Sequence, residues 1–145
     1  MTTKLLFAAL AVCAGIGVAF QSAANAGLSQ KTSLATAALV NTSIVMVGAL
    51  TFFFALGPRT DFHPAGTPWF FYIGGFCGFL IVLSLAFVFP KLGAALTTGL
   101  LVLGQSIAAL AIDHYGLMGM PRDPASLPRV AGLVLVAVGI VLIRL

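Results

Sequence analysis

The chain has 145 residues, 61% of them hydrophobic and 7% charged, and its formal net charge of +4 comes from seven Lys and Arg against three Asp. A soluble domain carries roughly 25% charged residues, so there is too little polar surface here to dissolve a globular fold. The cations sit singly between apolar stretches, which also excludes the clustered basic face of a nucleic-acid binder.

Five runs, 5–30, 34–56, 69–89, 92–112 and 130–143, contain no acidic or basic residue. A stretch of about 20 apolar residues is what a helix needs to cross a bilayer. A soluble bundle would need a charged outward face on each helix, and no run has one. The pattern predicts an all-α, polytopic membrane protein. Five transmembrane helices are expected near 5–27, 33–57, 69–89, 92–112 and 127–144, in one membrane domain over 1–145.

Lys4, the apolar run Leu5 to Phe20 and then Ala24-Asn25-Ala26 imitate a secretory signal with its small-residue cleavage site. The run slightly exceeds the usual ~7 to 15 residue core of a signal, and cleavage would leave four helices, so it is expected to stay as helix 1. Gly17, Gln21 and Asn25 follow at four-residue intervals and line one helix face. With helix 1 ending near Asn25-Ala26-Gly27, Asn25 is expected close to the helix end. Gln21 and Asn25 either face a cavity as amide donors and acceptors or hydrogen-bond a neighbouring backbone.

Thr32 or Ser33 is the expected N-cap of helix 2. This helix carries Asn41, Thr42 and Ser43; the hydroxyls can satisfy the preceding turn, which leaves Asn41 as the candidate. Gly57-Pro58 stops it, and the following loop holds Arg59, Asp61 and His63. Helix 3 opens on Trp69-Phe70-Phe71-Tyr72, with Trp69 and Tyr72 as interface anchors. Gly74 and Gly78 form a small-x-x-x-small step suited to helix packing. Pro90-Lys91 is the expected joint to helix 4.

Helix 4 offers Thr98 and Gln105 on nearly one face and Ser106 with Asp113 on the adjoining one. The loop 113–129 contains Gly116, Gly119, Pro121, Pro124 and Pro128, which no regular helix tolerates together. Asp113 has two readings: a carboxylate that titrates during transport, or a partner of Arg122 or Arg129 that folds the loop. Helix 5 carries Gly132 and Gly139, a second packing pair. Cys13 and Cys77 lie in apolar runs without metal-ligand spacing, and neither metal nor cofactor is expected. The runs hold no acidic residue and no histidine, so no catalytic residue is assigned and an enzyme is not expected.

An odd number of crossings places Lys4, Arg59, Arg122 and Arg129 on one side and Lys31, Lys91 and Arg144 on the other. Lys and Arg asymmetry sets orientation, so four against three allows insertion both ways; orientation fixed by the first helix is the equal alternative. Many transporters consist of two inverted halves with the substrate site between them. Five helices cannot divide equally, so the inverted partner would be a second copy in an antiparallel ten-helix homodimer, or a close paralogue of opposite orientation. Lipid is the other expected partner, and nucleic acid is not one.

Four stretches carry a family resemblance: Gln21-Ser22-Ala23-Ala24-Asn25-Ala26-Gly27-Leu28; Pro68-Trp69-Phe70-Phe71-Tyr72-Ile73-Gly74-Gly75-Phe76-Cys77-Gly78; Phe89-Pro90-Lys91-Leu92-Gly93-Ala94; and Gly104-Gln105-Ser106 with Asp113-His114-Tyr115-Gly116-Leu117-Met118-Gly119. Together they resemble the YdcZ-like proteins of the drug/metabolite transporter superfamily, described as inner-membrane exporters whose substrates are largely unassigned. The resemblance implies a five-helix membrane protein of dual or paired topology. It also implies distant kinship to the four-helix small multidrug resistance proteins, but helix 1 here lacks their membrane-embedded glutamate. The expected function is therefore secondary export of small organic solutes, with Gln21, Asn25, Asn41, Gln105 and Ser106 as candidate substrate-binding residues and Asp113 as the candidate coupling residue. A non-transporting subunit that stabilises a partner and a passive channel are the alternatives, although a channel should show a continuous polar lining.

Overall fold

The computed structural model describes residues 2–56 and 67–144, and every long element among them is a helix. These are α1 (Thr2–Lys31), α2 (Leu34–Leu56), α3 (Ile73–Leu92), α4 (Ala94–Tyr115) and α5 (Leu127–Arg144). All five are long and apolar enough to cross a membrane. The Gly57-Pro58 stop and the loop residues Arg59, Asp61 and His63 lie outside the described residues.

Three boundaries differ from the sequence expectation. Helix α1 continues to Lys31 instead of ending near Gly27. A helical glycine costs only about 1 kcal/mol, no proline follows, and Lys31 in the last turn complements the helix dipole. Helix 3 opens with a 3-10 turn, Trp69–Tyr72, before α3 begins. The joint to helix 4 is Gly93, not Pro90-Lys91. Pro90 sits in the last turn of α3, where it removes one donor, and the helix runs on to Leu92. The chain breaks where Gly93 adopts φ 80 and ψ 161, a conformation that essentially only glycine reaches.

The chain forms two compact units, Met1–Lys91 and Leu92–Leu145. In the first, α1 and α2 form a hairpin. Ser33 makes the turn definite: its Oγ accepts the Thr36 backbone N–H at 3.0 Å, and its carbonyl accepts the Ala37 N–H at 3.0 Å. The buried residues of the pair are small, Ser22 and Ala26 on α1 and Ala37 and Ala38 on α2. Small side chains let two backbones approach closely, which is how helices gain contact in lipid. Aromatic rings mark both ends of the third segment. Trp69 packs edge-on to Phe70 with centroids 6.5 Å apart, and Lys91 Nζ lies 3.5 Å from the centre of the Phe87 ring.

In the second unit α4 packs along α5. A Cβ built on Gly99 would stand 3.0 Å from Ile140 Cγ1, so this glycine is what lets the buried Ile140 side chain reach the α4 backbone. Most large apolar side chains among the described residues are exposed, including Phe20, Phe54 and Leu135 at more than 70%. In water each would forgo about 1.5–3 kcal/mol of burial; against acyl chains the same surface is matched.

Gly93→Ala is expected to lower the stability of the detergent-solubilised protein by about 1–3 kcal/mol, because alanine cannot adopt the joint without strain. Gly48→Ala is the control, since its Cβ meets nothing within 4 Å and the helix gains propensity. Thermal unfolding of both variants, followed by helical ellipticity, should show a drop for the first alone.

Candidate functional site

The first unit brings two side chains of α1 together with one of α2 that lies 16 residues or more further along the chain. Asn41 Oδ1 on α2 accepts Gln21 Nε2 at 3.1 Å and Asn25 Nδ2 at 3.2 Å, both from α1. The four-residue spacing on α1 stacks Gln21 over Asn25, and the hairpin sets Asn41 beside both. Because α1 continues to Lys31, Asn25 is not close to the helix end; it lies about 9 Å inside it at ~1.5 Å per residue. The partner of both amides is a side chain, not a neighbouring backbone.

A carboxamide offers two N–H donors and an oxygen with two lone pairs. The triad commits one donor each from Gln21 and Asn25 and both acceptor sites of Asn41 Oδ1. Asn41 Nδ2, Gln21 Oε1 and Asn25 Oδ1 have no further hydrogen bond among the described residues. Asn25 and Asn41 are half-buried and Gln21 is exposed. The buried hydroxyl beside them, Ser22, donates to the Val18 carbonyl of its own helix at 2.7 Å and is thereby used up.

On the neighbouring face of α2 an apolar cavity of about 600 Å³ opens between α2 and α3, lined by Ala35, Ala38, Leu39, Thr42, Phe79 and Leu83. Thr42 is its one polar side chain among these. The expectation that the Thr42 and Ser43 hydroxyls bond the preceding turn is not met, since neither makes a hydrogen bond among the described residues. Thr51 does make that bond, to the Val47 carbonyl at 2.8 Å.

In the second unit Gln105 is exposed and Ser106 half-buried, with no hydrogen-bond partner for either among the described residues. The loop after α4 is folded by charge. Arg129 bridges Asp113, at 3.7 Å, and Asp123, with which it forms a close ion pair. Arg122 goes elsewhere, its Nε donating to the His114 carbonyl at 3.2 Å. His114 Nδ1 accepts the Ala125 N–H at 3.0 Å, and the Asp113 carbonyl accepts the Asp123 N–H at 2.8 Å. Gly116, at φ 64, ends α4 in the left-handed conformation, where a Cβ would press on Arg122 at 3.3 Å. A carboxylate at the C-terminus of α4 and a guanidinium at the N-terminus of α5 each sit at the end that the helix dipole disfavours, and pairing offsets both. Asp123, which sequence reading passed over, completes this latch.

The four glycines expected at packing faces, Gly74, Gly78, Gly132 and Gly139, have open space where a Cβ would stand. Gly99 holds the close contact between α4 and α5. Trp69 and Tyr72 lie in the 3-10 turn that precedes α3. Cys13 and Cys77 are free thiols on exposed positions, and no group of three metal-ligating side chains converges among the described residues.

A family profile described as "Putative inner membrane exporter, YdcZ" matches residues 6–142. The chain belongs to the YdcZ family. The match takes in all five helices and both clusters described above. It supports a multi-pass inner-membrane location and an exporter family, not an enzyme family. No curated protein and no solved structure gives a significant match.

Arg129 is half-exposed at 38%, where a single ion pair contributes about 0–1 kcal/mol. Arg129→Met should therefore leave the global melting point nearly unchanged while amide hydrogen exchange across 113–126 speeds up roughly five-fold, the equivalent of about 1 kcal/mol. Exchange mass spectrometry on the solubilised protein reads both quantities.

Proposed function

We propose that this YdcZ-family chain is the subunit of a secondary transporter that exports small organic solutes by alternating access, working as an antiparallel ten-helix homodimer or with a close paralogue of opposite orientation. The observation that carries this reading is the Gln21–Asn25–Asn41 triad, a polar cluster inside two membrane helices with unspent hydrogen-bonding groups. Amides are costly in hydrocarbon, so a cluster that satisfies itself only in part is suited to a solute that supplies the rest. Gln105 and Ser106 on α4 are the further candidates for contacting the solute.

The chemistry of these groups favours an uncharged substrate. The five apolar runs hold no ionisable side chain except the two thiols and the Tyr72 phenol, and a charged solute would lie in low dielectric without a counter-charge. A molecule with one or more hydrogen-bonding groups for the triad and an apolar body for the cavity beside Thr42 fits best. Asp113 is better suited to the loop latch than to coupling, because Arg129 already engages its carboxylate. The even distribution of cations and the odd number of helices support the antiparallel pairing.

Purified protein screened by thermal shift against neutral organic solutes, with the hits carried into proteoliposome counterflow, tests the proposal. Wild-type protein should show saturable counterflow, and Asn41→Leu should reduce it at least ten-fold while keeping the helical content. A purely structural triad predicts a lower melting point for Asn41→Leu without any solute-dependent shift in the wild type. A channel predicts flux without saturation or counterflow.

A further inference from the structure

Hydrocarbon offers no hydrogen-bond partner, so every amide in a span must find one in protein, water or solute. Gln21, Asn25 and Asn41 hold one another, and Gln30 lies one residue from the end of α1, where headgroups reach it. Gln105 has neither arrangement among the described residues. It sits about 16 Å from Ala94 and about 15 Å from Tyr115 along α4, at ~1.5 Å per residue. That is the midpoint of the span, at the middle of a hydrocarbon layer ~30 Å thick.

The two sides of α4 differ. Gly99, which abuts Ile140 of α5, recurs at helical spacing with Leu103, Ser106 and Leu110, all half-buried. Gln105, Ala108 and Ala109 fall on the other side, and they and Gly104 are exposed. Gly104 and Ala108 form a small-x-x-x-small step, with nothing within 4 Å of a Cβ on Gly104.

Depth decides which partner suits this face. When two copies pair antiparallel about a two-fold axis in the membrane plane, a residue above the midplane meets one below it, and only a residue at the midplane meets its own copy. A carboxamide is its own complement, donating and accepting at once. We infer that the α4 face centred on Gln105 is the surface through which two oppositely oriented copies of this chain meet, their Gln105 carboxamides hydrogen-bonded across the two-fold axis. The inference rests on the antiparallel assembly proposed above and names its contact. It also brings a glutamine from each copy to the midplane, where a shared solute site would lie.

Disulfide trapping in native membranes tests it, using the full chain with Cys13→Ala and Cys77→Ala and differently tagged copies. Gln105→Cys should crosslink to itself. Thr98→Cys and Ile112→Cys, placed symmetrically about position 105, should crosslink to each other when co-expressed and at least ten-fold less to themselves. Self-crosslinks at 98 and 112 would mean parallel packing and overturn both the inference and the antiparallel assembly. Absence of every crosslink, with carboxy-terminal reporters found on both sides of the membrane, would overturn this contact and leave the antiparallel assembly standing. As a second measurement, Gln105→Leu should weaken self-association at least ten-fold by energy transfer in detergent at unchanged helical content, with Gln105→Asn weakening it less. Unchanged association of Gln105→Leu counts against the contact.

Discussion

The absence of water from the bilayer core governs this molecule at every scale. With no solvent to accept a backbone hydrogen bond, each crossing segment must satisfy its own N–H and C=O groups, and the α-helix does so within one segment. The same constraint sorts the side chains. Lys31, Lys91, Asp113, Arg129 and Arg144 all stand at or near helix ends. Ser22, Thr51 and Thr97 inside the spans fold their hydroxyls back onto carbonyls of the preceding turn, at Val18, Val47 and Gly93. The carboxamides of Gln21, Asn25 and Asn41 answer one another across the α1–α2 hairpin instead.

Lipid tails are as apolar as leucine, and helices in a membrane gain little by hiding leucine from them. Close packing must come from small residues. The pair α1–α2 buries Ser22, Ala26, Ala37 and Ala38, and the pair α4–α5 brings Ile140 onto the Gly99 backbone. Large side chains are left facing outward in numbers that would precipitate a soluble protein. Few residues are buried inside either unit, which leaves broad helix surface for lipid or for a second chain.

The five spans were legible because charge exclusion is an all-or-none signal over about 20 residues. Boundaries were not, because they turn on small local energies. Gly27 lacked the power to stop α1, whereas Gly93, through a backbone angle invisible in sequence, ended α3 beyond its proline. The triad was half legible. Four-residue spacing put Gln21 and Asn25 on one face, and Asn41 stood out as the polar side chain of α2 that cannot bond its own turn. That all three would meet depended on the hairpin register, which a two-residue turn and the Ser33 cap impose. Asp123 escaped notice because a loop acid among prolines looks like solvent-facing charge until Arg129 reaches it. Gly99 escaped because one glycine carries no periodicity.

The triad also bears on how a carrier could release what it binds. Interhelical hydrogen bonds between uncharged groups in membranes average about 0.6 kcal/mol and reach about 2 kcal/mol. A solute that takes over such a bond exchanges one neutral contact for another, so neither occupied nor empty states form a deep trap. A buried ion pair in the same place would behave differently, since parting it leaves an uncompensated charge at a cost of about 3–5 kcal/mol. For the proposed carrier, neutral amides therefore set a shallow site, and discrimination falls to the shape of the apolar cavity beside Thr42. Shape discriminates weakly, at about 1–3 kcal/mol per misplaced methylene. In such a carrier, breadth toward small uncharged solutes would follow from the same chemistry that keeps charge out of the spans.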